Sequence, residues 1–303
     1  MRLGLIGHPV SHSWSPRLFD HLSERDGIPV RYDLFPLPDV SVLRSFLREN
    51  PDLIGLNVTI PHKTSVLSLC DDLHPSAERI GAANTLLIQR KGSNQDDVHI
   101  TGYNTDVGGF TTALSQHYPV VVSVTQMQTD LVRESSANLG EIMIRHRALI
   151  LGTGGSARAV AWALKNLGIP FDLAGRAPID TVGGRVLARE LGDSRSSPSS
   201  GVVFASAQRC TFDSLNPEHI QRYDLLVHCT PLGMEPGFAG RRIPIDLRHC
   251  RPSTLLFDLV YTPETTPLMQ HALDCGLRVC GGIGMLKQQA EEAWALWKSA
   301  VVK

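Results

Sequence analysis

The chain has 303 residues, of which 42% are hydrophobic and 19% are charged. This composition is typical of a globular protein and argues against a collagen-like or disordered chain. Lysine and arginine together number 29, and aspartate and glutamate 30, which gives a formal net charge of -1. A chain this close to neutral has no bulk basic field, so we expect neither a nucleic acid nor an anionic membrane surface as a partner.

The sequence offers none of the usual signals for secretion, membrane insertion or metal binding. Residues 1–7 contain only a few apolar side chains before His8 and Pro9, fewer than a secretory signal requires. No segment reaches the roughly 20 apolar residues that span a bilayer. The cysteines are scattered, with no CxxC pair and no histidine at zinc-finger spacing. We therefore expect reduced thiols in a cytoplasmic protein without a bound metal.

The first hundred residues alternate short β-branched runs with amphipathic stretches, which is typical of an α/β fold with a parallel or mixed sheet. Ser15 as N-cap and Pro16 in the first turn predict the start of a helix that stops near Gly27. Predicted strands cover residues 3–7, 30–37, 53–60, 83–89 and 99–103. Further predicted helices cover residues 40–50, 63–73 and 107–116, and a polar turn covers 90–97.

A second series of alternating strands and helices begins at Ala148. Predicted strands cover residues 148–151, 171–174, 202–205, 225–229, 255–260 and 278–280. Predicted helices cover residues 156–167, 182–191, 267–275 and 285–301, and a Ser/Gly/Pro-rich loop covers 192–201. Between the two series, residues 118–146 show no clean period, although 118–124 has strand propensity. We predict an insertion or extended linker there.

A glycine-rich segment follows the first strand of the second series and opens a helix, with the sequence Gly-Thr-Gly-Gly-Ser-Ala at residues 152–157. In this position the pattern is typical of a dinucleotide-binding turn. Gly152 permits the tight turn, Gly154 lets a pyrophosphate approach the backbone, and Ala157 lets the helix pack on the strand. Backbone donors at the helix N-terminus would meet the phosphates. The alternative is a glycine-rich turn without a ligand.

The next strand indicates which dinucleotide is bound. An acidic residue at its end favours NAD, and an arginine favours NADP through its 2′-phosphate. Asp172 lies too early in the strand to reach a ribose, whereas Arg176 follows its end. NADP is therefore the expected cofactor, with NAD possible, and a solvated loop arginine is the alternative interpretation of Arg176.

Polar side chains interrupt an apolar strand in the first half. Asn57 and Thr59 lie two residues apart, on the same strand face, and need partners in the core or in a ligand. Lys63 follows at a strand-to-helix junction of the kind that lines α/β clefts, although an isolated lysine there is more often solvated. The segments Asn84-Thr85 and Asn104-Thr105-Asp106 repeat the pairing of asparagine with threonine.

Together these segments resemble the shikimate dehydrogenase family, including its quinate-using relatives. The segment 7–16 resembles the family's H-S-x-S-P opening, and the segment ending in Lys63 resembles its N-V-T-x-P-x-K signature. Asn84 and Asp106 fall in counterparts of its A-x-N-T and N-T-D motifs. The second half adds the glycine turn, the Cys-Thr-Pro-Leu-Gly-Met segment at 229–234, Asp-Leu-Val-Tyr at 258–261 and Gly-Met-Leu-Lys-Gln-Gln-Ala at 284–290.

The resemblance implies an oxidoreductase of aromatic amino acid and chorismate biosynthesis that reversibly reduces 3-dehydroshikimate to shikimate with NADPH. It assigns the catalytic pair to Lys63 and Asp106. The implied substrate-binding residues are Ser13, Ser15 and Tyr261 for the carboxylate, and Thr59, Asn84 and Gln289 for the hydroxyls. The implied cofactor-binding residues are Gly152, Gly154, Gly155, Ser156, Ala157, Arg176, Thr230 and Gly282. The chain departs from the family pattern at Phe19-Asp20 and after Arg176, where Ala177 follows.

The implied architecture has two domains: an N-terminal α/β substrate domain and a Rossmann-like NADP domain. Residues 1–106, joined by 284–303, would form the substrate-binding and catalytic domain. Residues 107–283 would form the NADP domain, with the extended linker at 117–146. The C-terminal helix is expected to return to the first domain and bring Gln289 to the site. A solvated Gln289 at the end of a core helix is the alternative.

Other functions remain open at the level of sequence. A quinate/shikimate dehydrogenase using NAD(P) is the nearest, although the Ser13/Ser15 pair favours the shikimate-preferring form. A ligand sensor that kept the fold and lost catalysis is less well supported, because Lys63 and Asp106 are both present. A different two-domain NADP enzyme would leave the first-half motifs unexplained. The sequence does not decide between a monomer and a homodimer.

Overall fold

A computed structural model describes residues 1–90, 97–118, 146–176 and 209–301. The described chain divides into two compact units. Unit 1 comprises Met1–Gly109 and Leu286–Lys303, and unit 2 comprises Phe110–Met285. Residues 119–145 of the predicted linker lie outside the described residues, as do the predicted helix at 182–191, the loop at 192–201, the strand at 202–205 and most of the predicted turn at 90–97.

Unit 1 contains the first six strands and the first helices of the chain. Its strands are β1 (Arg2–Gly7), β2 (Arg31–Pro36), β3 (Leu53–Val58), β4 (Asp72–Leu73), β5 (Thr85–Arg90) and β6 (Val98–Tyr103). Its helices are α1 (Ser15–Asp26), α2 (Leu43–Glu49), α3 (Pro75–Ile80) and the start of α4 (Asp106–Ser115). In the described residues these strands form one sheet in the order β2-β1-β3-β5-β6-β4.

The sheet of unit 1 is mixed, as the sequence allowed. Strand β1 pairs in parallel with both β2 and β3, whereas β5 is antiparallel to β3 and to β6. The carboxyl ends of β1, β3 and β6 and the amino end of β5 therefore share one edge of the sheet. This edge carries the polar segments that the sequence analysis selected in the first half of the chain.

The prediction of a helix over residues 63–73 is wrong. A short 3-10 helix covers Ser65–Leu69, and the chain then pairs with β6 as strand β4. The cause is Asp71, whose backbone N–H donates to the Ile100 carbonyl and whose carboxylate accepts from the Ile100 N–H at 2.8 Å. Bonds to a distant strand outweigh local helix propensity.

Helix α3 was not predicted. Its N-cap is the ring of His74, an unusual capping group, which accepts a hydrogen bond from the Ser76 N–H.

The C-terminal helix α8 (Ile283–Val301) supplies much of the core of unit 1. Trp294 and Trp297 are fully buried against Phe19 of α1. Each indole N–H has a partner: Trp294 donates to Asp26, and Trp297 donates to the Leu86 carbonyl at 3.0 Å. The helical spacing of these tryptophans in the sequence thus reflects one buried helix face.

Unit 2 is built on a parallel sheet. Its described strands are β7 (Ala148–Leu151), β8 (Phe171–Gly175), β9 (Arg209–Thr211), β10 (Leu225–His228), β11 (Leu255–Asp258) and β12 (Arg278–Gly281). Its described helices, besides most of α4, are α5 (Gly155–Asn166), α6 (Pro217–Ile220), α7 (Pro267–Asp274) and the start of α8. The strand order is β12-β11-β10-β7-β8-β9. The sequence analysis predicted neither β9 nor α6, which are short.

The central strands of unit 2 are buried along their whole length. All residues of β7, β8, β10 and β11 are buried. Continuous burial is typical of parallel strands covered on both faces, and it explains why these strands are mostly apolar in the sequence. The two sheets and their helices confirm the predicted fold class.

Among the described residues, no helix combines the length and apolar character that crossing a membrane demands.

Gly55 lets the Trp297 indole pack directly on strand β3. A Cβ at this position would overlap the indole, with Trp297 Nε1 as the nearest atom. We predict that Gly55→Ala destabilises the protein by about 1–3 kcal/mol, the usual cost of overpacking a core. The measurement is the denaturant midpoint of unfolding. Gly237→Ala is the control, because a Cβ there meets nothing within 4 Å. Equal midpoints for the two variants would contradict the prediction.

Candidate functional site

Backbone hydrogen bonds join the loops at the shared edge of the unit 1 sheet. The Thr59 N–H donates to the Ile6 carbonyl, which ties the end of β3 to β1. The Asn84 carbonyl accepts from Val58, and the Asn84 N–H donates to the Tyr103 carbonyl. These bonds fix the backbone on either side of Asn84, so its side chain projects from a rigid position at this edge.

Lys63 and Asp106 form a close ion pair at this edge. Lys63 Nζ lies 2.6 Å from Asp106 Oδ2, and their side chains are 14% and 4% exposed. The Lys63 carbonyl accepts from the Ala83 N–H, which anchors the lysine backbone. Asp106 is the first residue of α4, where the positive end of the helix dipole favours a carboxylate. Its own N–H donates to the Asn104 side chain. The structure therefore brings the two predicted catalytic residues together.

Asn84 connects Asp106 to helix α8. Its amide nitrogen lies 2.8 Å from Asp106 Oδ1, 2.9 Å from Thr105 Oγ1 and 3.3 Å from Gln289 Oε1. Its oxygen accepts from the Thr105 N–H at 2.8 Å. Asn84 and Gln289 are 2% and 8% exposed. Gln289 is therefore buried in the Asn84 cluster, and the alternative of a solvated glutamine is excluded.

Thr105 is a site residue to which the sequence analysis gave no role. It is buried and bonded to Asn84 through both its backbone N–H and its hydroxyl, and its hydroxyl also approaches Gln289 Oε1 at 3.5 Å. The repeated Asn-Thr pairing was the signal that could have identified it. With Thr105, the cluster presents alternating donors and acceptors next to an ammonium group, an arrangement suited to binding hydroxyl groups.

Ser13 and Ser15 form a second polar group, in the loop between β1 and α1. Their hydroxyl oxygens are 3.1 Å apart, and the Ser15 N–H donates to Ser13 Oγ at 3.2 Å. Paired hydroxyls can donate to the two oxygens of a carboxylate. Thr59 follows the end of β3 and is partly exposed. Asn57, by contrast, is buried with partners of its own: its amide oxygen accepts from Tyr32, and its amide nitrogen contacts Thr85. The polar groups of Asn57 therefore serve the core.

The glycine turn of unit 2 has room for a dinucleotide phosphate. Gly152 has φ +132°, and a Cβ there would lie 3.1 Å from the Cys229 backbone. Gly154 is the N-cap of the 12-residue helix α5, and a Cβ there would meet none of the described residues within 4 Å. In the described part of the chain the helix N-terminus is therefore uncovered at this point, where the helix dipole attracts an anion. Ala157 is fully buried, as close packing of helix on strand requires.

Arg176 and Asp172 take different positions on strand β8. Arg176 directly follows the strand and is exposed. Asp172 is 2% exposed near the amino end, where its carboxylate accepts from Arg147 Nε at 2.7 Å, from Arg147 Nη2 at 2.8 Å and from the Tyr223 hydroxyl at 2.7 Å. Burial of Tyr223 and its hydrogen bond to Asp172 raise the pKa of the Tyr223 phenol. Asp172 is therefore a structural group, in line with the sequence argument.

The remaining predicted residues of unit 2 lie after strands β10, β11 and β12. Thr230 lies beside the glycine turn, with its methyl group 3.2 Å from a Cβ built on Gly152. Tyr261 follows β11 and is partly buried. Gly282 follows β12, and a Cβ there would clash with the Leu259 carbonyl oxygen. Packing alone therefore explains the glycine at 282.

Among the described residues, no group of three or more potential metal ligands is found.

Glu292 is a further acidic group near Asp106 that the sequence analysis did not select. It lies one helical turn after Gln289 on α8, and its carboxylate packs so closely on Gly108 that a Cβ there would clash with it. Burial of the carboxylate and the nearby charge of Asp106 raise the pKa of Glu292 to about 7. The residue as a whole is still exposed, which limits the energetic cost of this charge.

The raised pKa of Glu292 predicts a pH-dependent effect of Glu292→Gln. Folding raises this pKa from its ordinary value of 4.5, so the folded protein loses stability as the pH rises from 4.5 through about 7. Glutamine has no proton to lose and stays uncharged across this range. We expect equal melting temperatures for wild type and Glu292→Gln at pH 4.5, and a higher melting temperature for the variant at pH 8.

The neighbouring Glu291→Gln variant is the control for this measurement. Glu291 pairs with Arg25 on the surface, so its replacement removes an attractive contact and should not raise the melting temperature at pH 8. The raised pKa of Glu292 would be contradicted if the difference in melting temperature between Glu292→Gln and wild type were the same at pH 8 as at pH 4.5.

Comparison with known proteins identifies the family. A family model described as the shikimate dehydrogenase substrate binding domain matches residues 5–86. A protein of Geobacter sulfurreducens named shikimate dehydrogenase (NADP(+)) is 35% identical, with 97% of this chain and 90% of the relative covered. A protein of Paracoccus denitrificans with the same name is also 35% identical, with 97% and 89% covered.

Solved structures agree with these relatives. Shikimate 5-dehydrogenase from Thermus thermophilus, in complex with NADP(H) and shikimate, is 29% identical and superposes with a TM-score of 0.71 over 99% of this chain and 94% of that chain. Quinate dehydrogenase from Corynebacterium glutamicum, in complex with NAD, is 24% identical and shares the fold, with a TM-score of 0.71 over the same shares. The chain therefore belongs to the shikimate dehydrogenase family.

Proposed function

We propose that the chain is a shikimate dehydrogenase, an oxidoreductase that acts on a CH–OH group and reversibly reduces 3-dehydroshikimate to shikimate with NADPH. This reaction would place it in chorismate and aromatic amino acid biosynthesis. The observation that carries the proposal is the ion pair of Lys63 with Asp106, held by Asn84 at an edge that also presents paired serine hydroxyls. Its named relatives support the same activity.

The Lys63–Asp106 pair suits the reduction of a ketone. NADPH, when bound, supplies the hydride for the carbonyl carbon. Negative charge then develops on the carbonyl oxygen, where the Lys63 ammonium group can stabilise it and donate a proton. Asp106 accepts from Lys63 Nζ through Oδ2 while Oδ1 accepts from Asn84, so the carboxylate is fixed on both sides. In the oxidation direction Lys63 would take the proton from the substrate hydroxyl.

The other polar groups of unit 1 would bind the substrate. Ser13 and Ser15 would hold the carboxylate, with the Ser13 hydroxyl turning from Ser15 toward one of its oxygens. Asn84, Gln289 and Thr59 would bind the ring hydroxyls. A pocket that offers hydrogen-bond partners to each hydroxyl rejects analogues that lack one, because the buried partner is then left without a bond.

The residues of unit 2 fit NADP. The open N-terminus of α5 would receive the pyrophosphate through the turn at residues 152–157, and Arg176 would pair with the 2′-phosphate. Thr230 and the backbone of Gly282 complete the proposed contacts. Residues 1–106 with 284–303 would therefore be the substrate domain, and 107–283, with the extended linker at 117–146, the NADP domain.

The proposal includes a small-molecule substrate, a cytoplasmic location and a monomer or homodimer. All six cysteines are free, as the reducing conditions of the cytoplasm would keep them. Burial raises the pKa of Cys70 and Cys280 to about 11, so these thiols have little tendency to react as thiolates.

The experiment that tests the proposal measures reduced nicotinamide absorbance while the purified protein oxidises shikimate or quinate with NADP or NAD. All four combinations are compared at matched concentrations. We expect shikimate with NADP to be the fastest. Faster turnover of quinate would indicate the quinate-using relative, and no turnover in any combination, with NADP still bound, would indicate a sensor.

Removal of the Lys63 ammonium group should abolish most of this activity. We predict that Lys63→Ala lowers kcat at least about 100-fold, because proton transfer and charge stabilisation at the oxygen are both lost. Folding, followed by circular dichroism, should stay near normal. Lys165→Ala removes a lysine that lies over the Trp162 ring in unit 2 and is the matched control. Near-full activity or unfolding of Lys63→Ala would contradict the assignment.

Arg176 should set the preference for NADP over NAD. A charge-assisted bond contributes about 1.5–3 kcal/mol, so Arg176→Ala should raise the KM for NADP at least about tenfold. The KM for NAD, which lacks the 2′-phosphate, should change less than about twofold. Arg222→Ala, at another exposed arginine of unit 2, serves as the control. Equal effects of Arg176→Ala on both cofactors would show that Arg176 does not meet the 2′-phosphate.

A further inference from the structure

A chain of buried side chains runs behind Thr230 at the carboxyl edge of the unit 2 sheet. His228 Nε2 lies 2.5 Å from Thr230 Oγ1, and His228 Nδ1 lies 2.8 Å from Asp258 Oδ1. Thr266 then donates to Asp258 Oδ2 at 2.6 Å. His228, Asp258 and Thr266 are each 0% exposed. The chain therefore begins at the loop beside the glycine turn and ends inside the unit.

The hydrogen bonds around Asp258 hold the His228 ring in place. Asp258 accepts from the Thr266 hydroxyl and from the Val260 N–H, and its Oδ1 is bonded to His228 Nδ1. The other ring nitrogen, Nε2, is bonded to the Thr230 hydroxyl group, so the ring links Thr230 to Asp258. Thr230 Oγ1 in turn accepts from the Leu232 N–H at 3.3 Å.

These bonds hold the Thr230 side chain in place. Its oxygen is bonded to His228 and accepts from the Leu232 N–H, and its methyl group lies 3.2 Å from a Cβ built on Gly152. Thr230 is thus fixed beside the turn that would hold the cofactor.

We infer that His228 is a positioning residue for NADP binding, acting through Thr230 and held in turn by Asp258. The inference rests on the proposed function for the identity of the cofactor. His228 does not itself reach the surface, because it is fully buried. The link from His228 to a ligand therefore passes through the Thr230 hydroxyl group.

The experiment measures the dissociation constant of NADP+ by calorimetry on the full-length protein. In His228→Asn the amide nitrogen takes the place of Nδ1, so Asp258 keeps its partner while the bond to Thr230 is lost. We expect affinity for NADP+ to fall about tenfold and the KM for shikimate to change less than about twofold. Thr230→Val should weaken binding similarly, and the double variant should bind no more weakly than Thr230→Val.

Thr254→Val is the matched control for a general loss of stability. Thr254 is also 0% exposed, and its hydroxyl donates to the Tyr223 carbonyl at the opposite end of strand β11. This variant should lower the melting temperature without changing affinity for NADP+. Unchanged affinity in His228→Asn, or an effect that adds in full to that of Thr230→Val, would overturn the inference.

The binding experiment on His228 and the activity test of the proposed function can fail independently of each other. A wild-type protein that binds NADP+ but oxidises neither shikimate nor quinate would contradict the proposed function, and the calorimetric comparison of the variants would still decide the role of His228. Conversely, an active wild type whose His228→Asn variant binds NADP+ normally would overturn the inference alone.

Discussion

The amide of Asn84 is the contact on which the unit 1 site depends. Its nitrogen carries two hydrogens and lies within hydrogen-bond distance of oxygens on Thr105, Asp106 and Gln289. These acceptors come from the start of α4 and from α8, two segments far apart in the chain. Because a buried acceptor without a donor costs free energy, loss of this amide would weaken the contacts of both segments with the start of β5. The Asp106 carboxylate, which accepts from Lys63 through one oxygen, is held through the other by this side chain.

Asn84 can take this position only because the unit 1 sheet is mixed. It directly precedes β5, which runs antiparallel to β3 and β6. In an all-parallel sheet the amino end of β5 would lie at the edge opposite the ends of β3 and β6. Lys63, which follows β3, and Asp106, which follows β6, would then be remote from Asn84. The two antiparallel pairings are thus the feature of the fold that places Asn84 beside the proposed catalytic pair.

Sequence patterns located most strands and helices and the pair of Lys63 and Asp106, because buried elements repeat apolar residues with a fixed period and motifs are local. They could not give strand direction, which depends on pairing between distant segments. For the same reason the edge pairing of Asp71 with β6 was missed and a helix was predicted in its place. Glu292 and the bonds of His228 were also missed, since only the folded chain places them beside Asp106 and Thr230.

Three buried aspartates show how position relative to the edges of a sheet decides the role of a charge. Asp106, Asp172 and Asp258 are each at most 3% exposed, and each accepts from at least two donors, as a buried carboxylate requires. Burial and pairing therefore do not distinguish them. Asp172 lies near the amino end of its strand, where its partners Arg147 and Tyr223 tie the base of the sheet together. Asp106 and Asp258 lie at the edges where the loops proposed to bind ligands begin. There a fixed carboxylate orients a side chain that can face a ligand. The buried charge, which costs free energy on folding, therefore serves the proposed binding and not stability alone.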